Sequence, residues 1–265
     1  MKHDINSSLY VNNLDWSYGK RQILNKICLS IDKAGFYSII GPNGSGKTTL
    51  LKNISRALEP RQESIYVESK DITKYKRREI SKLISYVPQN TNIDFDFTAM
   101  DIVLMGRSPY FKRFEVEKEE DLQIAEEAMK STNIWHLRDK NINEISGGER
   151  QRVIIARALA QQTKIMLLDE PVSQLDIHHQ IELMETIKDL IIKRGIIVIA
   201  VLHDLNLAAQ YSDMIILLKE GRILSYGSPQ TVITKENIES VYGIKVFIMP
   251  NPLTSRPHVI PLTSI

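Results

Sequence analysis

The sequence predicts an α/β protein with a mostly parallel sheet and an inserted helical segment. Short apolar runs alternate with stretches of helical spacing, which is the pattern of such folds. Three runs rich in β-branched residues are typical of fully buried strands: 165–168, 196–202 and 214–218. Between about 98 and 143 the chain is instead charged and helix-favouring, which indicates helices inserted into the α/β core.

The other elements follow from local patterns. Residues 23–31 alternate apolar and polar side chains, as a half-buried strand does. An apolar run over 36–40 stops at Gly41, and helical spacing follows over 48–58. We therefore expect a core over about 1–90 and 160–225 and a helical insertion over about 91–159. Four prolines after Met249 predict an extended or irregular tail over 250–265: Pro250, Pro252, Pro257 and Pro261.

The amino-acid composition disfavours several classes of protein. The chain has 265 residues, of which 43% are hydrophobic and 25% charged, as in an average globular protein. A formal charge of only +2 disfavours a protein that binds nucleic acid by neutralising its phosphates. The single cysteine, Cys28, excludes an intrachain disulfide and is expected to be a small buried apolar residue. Without a secretory signal or an apolar run longer than 196–202, we expect no membrane span.

The strongest motif lies between the strand at 36–40 and the helix after it. Gly41–Thr48 reads GPNGSGKT and matches the pattern G-x-x-x-x-G-K-[ST]. Its glycines let successive backbone N–H groups turn toward one anion, and the helix N-terminus adds its dipole. Lys47 can reach the β- and γ-phosphates, and the Thr48 hydroxyl can complete a Mg²⁺ shell. The candidate nucleotide-binding residues here are Gly41, Pro42, Asn43, Gly44, Ser45, Gly46, Lys47, Thr48 and Thr49.

Two carboxylates follow the buried strand at 165–168. Ligands of such sheets bind at the carboxyl ends of strands, which is where Asp169 and Glu170 lie. Asp169 can hold a magnesium shell, and Glu170 can polarise an attacking water. An apolar strand that ends in Asp-Glu is common by itself. The phosphate-binding motif in the same chain favours the functional interpretation.

A third motif opens the helix after residue 145. Ser146 and Glu149 have the S-x-x-E spacing of a capping box, which would be a purely structural role. The capping box does not explain Gly147 and Gly148, because adjacent glycines weaken a helix. They do permit very close backbone approach, so this helix start is a candidate anion site.

Together these motifs resemble the ATP-binding subunit of an ABC transporter. The ordered set covers about residues 9–226. It comprises the phosphate loop, Tyr86-Val87-Pro88-Gln89, Ile145-Ser146-Gly147-Gly148-Glu149, Leu168-Asp169-Glu170-Pro171, Ser173-Gln174-Leu175-Asp176 and His203. The resemblance implies a P-loop NTPase (RecA-like) core, an antiparallel β subdomain and an inserted α-helical subdomain, with one ATP-binding domain over 1–249.

The resemblance also implies a mechanism. It describes an ATPase that uses ATP and Mg²⁺ and forms a head-to-tail homodimer. Each ATP lies between the phosphate loop of one subunit and the helix start at Ser146–Glu149 of the other, which is called the signature. The residue roles that it implies are adenine stacking for Tyr18, magnesium binding for Thr48, Gln89 and Asp169, catalysis for Lys47, Gln89, Glu170 and His203, signature contacts in trans for Ser146, Gly147, Gly148 and Glu149, and a D-loop role for Asp176. Its implied partners are a membrane permease and, indirectly, a substrate-binding protein, with no nucleic acid. The subunit is expected at the cytoplasmic face of the cell membrane.

Three positions depart from the usual family pattern. Ile145 replaces leucine, which is an exchange of one apolar residue for another. Glu149 replaces glutamine and puts a carboxylate near a phosphate site, although Arg150 and Arg152 can offset its charge. The turn at 63–64 lacks a glycine that is often found there.

Two local stretches indicate a subfamily. Residues 105–110 and 175–183 resemble the importers of ferric siderophores, haem and cobalamin. His178 and His179 are adjacent on a helix and point about 100° apart, so they are poor joint metal ligands, and we expect a helix-surface role.

Other ABC proteins remain as alternatives. Importers of zinc, manganese or molybdate use subunits of the same size. A soluble ABC ATPase that acts on nucleic acid, ribosomes or iron–sulfur assembly is disfavoured, because the chain has no long coiled coil and a single phosphate loop. A degenerate cassette is disfavoured by the presence of Lys47, Asp169, Glu170 and His203.

Overall fold

The computed structural model describes residues 7–89, 96–112, 115–173 and 175–262. It divides into two compact units. The first consists of Met1–Tyr75 with Ile197–Ile265, and the second of Lys76–Ile196. The predicted helical insertion over 91–159 falls within the second unit, and its first residues lie outside the described part of the chain.

The described residues form strands, α-helices and short 3₁₀ turns. The strands are β1 (Leu9–Tyr18), β2 (Arg21–Ile31), β3 (Gly35–Ile40), β4 (Ile65–Val67), β5 (Lys70–Asp71), β6 (Ile84–Val87), β7 (Ile165–Asp169), β8 (Ile197–Val201), β9 (Met214–Lys219), β10 (Arg222–Gly227), β11 (Val246–Pro250) and β12 (Pro257–Pro261). The α-helices are α1 (Lys47–Ile54), α2 (Arg77–Ile80), α3 (Ala99–Leu104), α4 (Glu119–Ser131), α5 (Gly147–Ala160), α6 (Ile177–Arg194), α7 (Leu205–Tyr211), α8 (Pro229–Val232) and α9 (Lys235–Tyr242). The 3₁₀ turns are Ile72–Lys74, Met105–Tyr110, Trp135–Leu137 and Ile142–Glu144.

Apart from the hairpin of β11 and β12, the described strands of the first unit belong to two sheets. β2, β1, β4 and β5 form an antiparallel sheet in that order, and its inward side chains include Leu14, Leu24 and Ile27. β3 pairs in parallel with β8 and β9, and β10 runs antiparallel beside β9. All residues of β3 are buried, which is why its sequence is mostly apolar and does not alternate.

Helix α1 is shorter than its sequence pattern predicts. Helical spacing continues to Leu58, but the helix ends at Ile54. Ser55 still donates its N–H to the Leu51 carbonyl, and Arg56 then adopts a left-handed φ of 57°. The backbone therefore leaves the helix before the apolar spacing ends.

The C-terminal tail contains half of a β-hairpin. The sequence predicts an extended or irregular tail over 250–265, and residues 257–261 take the extended form, in which β12 pairs with β11 in an antiparallel hairpin. Pro250 faces Pro257 at one end of the pairing and Pro261 lies at the other, so the missing N–H groups interrupt little of the ladder. Val259 donates its N–H to the Asn206 side chain at 2.8 Å, which attaches the hairpin to α7. Residues 263–265 lie outside the described part.

The second unit combines two parallel strands with the helical segment. β6 pairs with β7 in the register Ile84 to Ile165, and both strands are largely buried. Between them in sequence lie the helices that the charged segment predicts, with Ala125 and Met129 of α4 facing inward. No helix in the described ranges is long and apolar enough to cross a membrane.

A buried ion pair connects the helices of this unit. The Arg107 guanidinium lies 2.9 Å from Asp121 at the start of α4, and both side chains are almost fully buried. The same guanidinium donates to the Ala160 carbonyl at the end of α5 and to the Gln162 side chain. Arg107 therefore joins three segments through hydrogen bonds that also satisfy its buried charge.

Gly106, next to Arg107, allows a test of how closely this 3₁₀ turn packs on α5. A Cβ on Gly106 would lie 2.1 Å from the Arg157 carbonyl oxygen, so Gly106→Ala must push its 3₁₀ turn off α5. We expect this variant to lose about 1–3 kcal/mol of free energy of unfolding. Gly147→Ala is the matched control, because no described atom lies within 4 Å of the added methyl group. Urea titration followed by circular dichroism measures both, and equal midpoints for the two variants would contradict the packing argument.

Candidate functional site

The loop between β3 and α1 is shaped by two glycines. Gly41 has a φ of 149°, and a Cβ there would lie 2.2 Å from the Leu218 carbonyl oxygen. Gly46 has a φ of 103° and is the N-cap of α1, where a Cβ would lie 2.7 Å from a methyl group of Leu24. Other residue types would be both strained and crowded at these two positions. Pro42, Asn43, Gly44 and Ser45 complete the turn, and Lys47, Thr48 and Thr49 begin the helix.

Polar groups in this loop fit a phosphate anion. Lys47 is buried, and its ammonium donates to the carbonyls of Gly41 at 2.8 Å and Pro42 at 3.1 Å. Within the described residues, the Ser45 hydroxyl is buried without a hydrogen-bond partner. A buried ammonium, an unsatisfied hydroxyl and a helix N-terminus together favour negative charge.

A tyrosine that the motif analysis did not identify lies against the loop. Tyr242, the last residue of α9, is half-buried, and this burial raises the pKa of its phenol to about 12. A hydrogen bond with the Gly41 backbone lowers this pKa, but its effect is weaker than that of burial. No local pattern marks Tyr242, because it follows Gly41 by some 200 residues in the sequence.

The two other candidates of the first unit are exposed side chains. His203 follows β8, just before Asp204 caps α7. Tyr18 ends β1, is 49% exposed, and meets the Trp16 ring edge-on at 6.1 Å. An exposed ring at the end of a strand is available for stacking on a base.

In the second unit, Asp169 is the last residue of β7 and is almost completely buried. The Tyr86 hydroxyl on β6 donates to its carboxylate at 3.1 Å. Burial and the adjacent negative charge of Asp169 both raise the pKa of Tyr86, which keeps the phenol protonated as a donor. Tyr86 stood within a predicted motif, but its contact with Asp169 was not predicted.

Glu170 has a different environment from its neighbour. It adopts a left-handed φ of 53°, which is uncommon for glutamate, and is only half-buried. Its carbonyl accepts hydrogen bonds from the N–H and hydroxyl of Ser173. The Gln89 amide donates to its carboxylate at 2.5 Å. The structure thus brings together two of the residues predicted to be catalytic.

The predicted signature begins α5. Ser146 is the N-cap, its N–H and hydroxyl donate to the Glu149 carboxylate at 2.8 and 2.7 Å, and these bonds lower the pKa of Glu149. The capping box is therefore real, and the carboxylate of Glu149 points back to Ser146. Ser146 and Gly147 are exposed, and a methyl group on Gly147 would meet no described atom within 4 Å.

The predicted D-loop residue begins α6. Asp176 is the N-cap and accepts the His179 N–H at 3.0 Å. Hydrogen bonds from the His179 backbone and side chain lower the pKa of Asp176. Gln174, part of the same predicted motif, lies outside the described residues.

Comparisons with known proteins agree with this set of motifs. The protein-family model described as ABC transporter matches residues 24–173. The chain belongs to the ABC transporter family. It is 40% identical over 249 residues to the ferric enterobactin transport ATP-binding protein FepC of Escherichia coli, covering 94% of this chain and 92% of FepC.

Two further relatives cover nearly the whole chain. The hemin import ATP-binding protein HmuV of Gloeobacter violaceus is 39% identical over 251 residues, which are 92% of this chain and 90% of HmuV. A structure described as an inward-facing, metal-chelate type ABC transporter matches with a TM-score of 0.85 and 30% identity, covering 97% and 98% of the two chains. The predicted family and ABC ATPase fold are confirmed. This member of the family is an ATP-binding, ATP-hydrolysing transporter subunit.

The Tyr86–Asp169 contact supplies the second test. Tyr86→Phe removes a hydroxyl that donates to a buried carboxylate, so we expect a loss of about 2 kcal/mol of free energy of unfolding. Tyr66→Phe on β4 is the control, because none of the described residues bonds its hydroxyl. Urea titration compares the two variants with the parent chain. A Tyr86→Phe midpoint as close to the parent as that of Tyr66→Phe would show that the bond contributes nothing.

Proposed function

We propose that this ATPase drives an importer of iron chelates, such as ferric siderophores or haem, or of cobalamin. The Gln89–Glu170 contact at the end of β7 carries the catalytic part of the proposal, because it holds a carboxylate where such sheets bind ligands. The substrate class is supported by the names of FepC and HmuV and by their similarity to this chain over about nine-tenths of its length.

The residues present also fit ATP with magnesium. The loop from Gly41 to Thr48 binds the phosphates, and the exposed Tyr18 ring stacks on the adenine. Thr48, Gln89 and Asp169 offer hydroxyl, amide and carboxylate oxygens, the ligand types that Mg²⁺ prefers. When bound, the ion offsets the negative charge of the transferred phosphoryl group. Lys47 supplies further positive charge, fixed within the loop.

Glu170 is the residue that we assign to the attacking water. A half-buried carboxylate can accept the proton of a water molecule and orient its oxygen. The Gln89 amide limits the rotation of this carboxylate, so that one of its oxygens is already oriented. His203 contacts the γ-phosphate in this proposal.

The active assembly is a head-to-tail homodimer. Ser146 and Gly147 are exposed at the start of α5 and are available to a second copy, whose γ-phosphate they would contact with Gly148 and Glu149. Asp176 would lie beside the same interface. The dimer acts on a membrane permease supplied by a substrate-binding protein. The subunit is then peripheral on the cytoplasmic face of the membrane, and it binds no nucleic acid.

Glu170→Gln tests the assignment of the general base. The amide keeps the size of the side chain and can still accept from Gln89, but it cannot take a proton. We expect ATP binding to remain, hydrolysis to be nearly abolished and an ATP-bound dimer to accumulate on size exclusion. Hydrolysis within a few-fold of the parent rate would refute the assignment.

Lys47→Ala tests the phosphate loop. Loss of the ammonium removes a positive charge and its hydrogen bonds to the phosphates, so ATP affinity itself should fall. Lys52→Ala changes another lysine of the same helix and serves as the control. A nucleotide-binding titration compares the two variants. Unchanged ATP affinity in Lys47→Ala would contradict the assignment of this loop to phosphate binding.

Gly148→Asp tests the action of the signature in trans. A Cβ at Gly148 makes only ordinary contact, with the His179 ring at 3.5 Å, so the fold should persist. A carboxylate facing a partner's phosphate would instead repel it. We expect ATP binding by the monomer to persist, while ATP-dependent dimerisation and hydrolysis are lost.

An experiment that mixes two variants tests the action in trans more sharply. A mixed dimer of Gly148→Asp and Lys47→Ala chains places both lesions in one composite site and leaves the other site intact. Partial recovery of ATP-dependent dimers is the expected result. If two folded variants show no recovery at any ratio, the signature works within its own subunit.

A further inference from the structure

The His179 ring bonds Asp176 at the start of α6 and lies beside Gly148 at the start of α5. Its Nδ1 atom lies 2.9 and 2.8 Å from the two carboxylate oxygens of Asp176. Its ring atoms Cγ and Cδ2 lie 3.5 Å from the position that a Cβ on Gly148 would occupy. One imidazole therefore bonds the predicted D-loop residue and lies beside Gly148 of the predicted signature.

Helix capping does not account for the ring contact. An N-cap aspartate needs only a backbone N–H two or three residues later, and the His179 N–H already supplies it. The Asp176 side chain is otherwise largely exposed. A second bond, from a rigid ring, fixes the orientation of a carboxylate that would sample several rotamers in water.

The adjacent histidine lacks these features. His178 is 77% exposed, and its Nε2 atom lies 3.9 Å from the carboxylate of Glu182, which already pairs with Arg152. The two imidazoles meet edge to face with centroids 5.4 Å apart. No cluster suited to a metal ion occurs among the described residues.

We propose that His179 is a positioning residue for ATP hydrolysis, which holds the Asp176 carboxylate and the Gly148 backbone in one fixed arrangement. The inference rests on the proposed roles of Asp176 and the signature at the dimer interface. Two segments that meet a partner together must be ordered before or during dimerisation. A ring that orders them in the monomer reduces the entropy lost at that step.

Three substitutions at this position separate the two contacts. His179→Asn keeps an N–H donor near Asp176 but loses most of the ring. His179→Phe keeps a ring against Gly148 but loses the donor. His179→Ala loses both, and His178→Ala is the matched control on the same helix.

Steady-state hydrolysis gives the first readout. We expect His179→Ala to lower kcat about ten-fold, the scale of one charge-assisted hydrogen bond. KM for MgATP should stay within about two-fold of the parent value, because ATP binding to the monomer is not altered. The Asn and Phe variants should each recover part of kcat, and His178→Ala should match the parent.

Dimerisation gives the second readout. Each substitution is combined with Glu170→Gln, and the ATP concentration for half-maximal dimer formation is measured by size exclusion. His179→Ala should raise this concentration, with the Asn and Phe variants intermediate.

Several results would overturn the inference. One is a kcat for His179→Ala within about two-fold of the parent value, and another is an equal loss in His178→Ala. Loss of thermal stability in parallel with kcat, without rescue by Asn or Phe, would show a merely structural role. If the Glu170→Gln chain binds ATP but forms no dimer, the proposed dimer itself is wrong, and the role of His179 with it.

Discussion

Backbone crowding beside Gly41 is the constraint on which the phosphate loop depends. β3 pairs with β9 up to Ile40 and Leu217, so the next residue passes directly against the Leu218 carbonyl. Because a side chain would not fit there, the chain can turn sharply, and α1 begins six residues later with Lys47 buried beneath the carbonyls of the same turn. The Gly221 N–H, which donates to Ser45, attaches the loop to the turn after β9.

In the second unit, two neighbouring carboxylates lie in different environments. Asp169 ends a buried strand and accepts from a buried phenol. Glu170 leaves the strand with a left-handed backbone, so its side chain is less buried and meets the Gln89 amide instead. Such different surroundings are what the two proposed roles require, Asp169 as a metal ligand and Glu170 as a base.

The helical part of the same unit depends on a buried charge. Arg107 joins its own 3₁₀ turn to the start of α4 and to the end of α5, and Gly106 allows that turn to approach the α5 backbone. At its other end, α5 carries the exposed serine and glycine of the signature. The helix is therefore fixed at its C-terminal end, and Ser146 and Gly147 remain exposed at its N-terminal end.

The sequence by itself determined the features that depend on neighbouring residues. The loop glycines, the buried strands 165–168 and 214–218, and the capping pair Ser146 and Glu149 are local patterns, and the structure contains each of them. Their order along the chain was specific enough to indicate the family. Proline content, in contrast, left the tail as extended or irregular, because pairing with β11 depends on register and not on composition.

Only the tertiary structure decided which side chains support the site. Tyr86 meets Asp169 although 83 residues separate them in the sequence, and Tyr242 lies against Gly41 although some 200 residues separate these two. His179 looked like an exposed helix residue, and its ring proved to lie between Asp176 and Gly148. Periodicity records which face of an element is buried but not which distant element covers it. Contacts between such elements arise from packing, and a single sequence does not encode them in any local pattern.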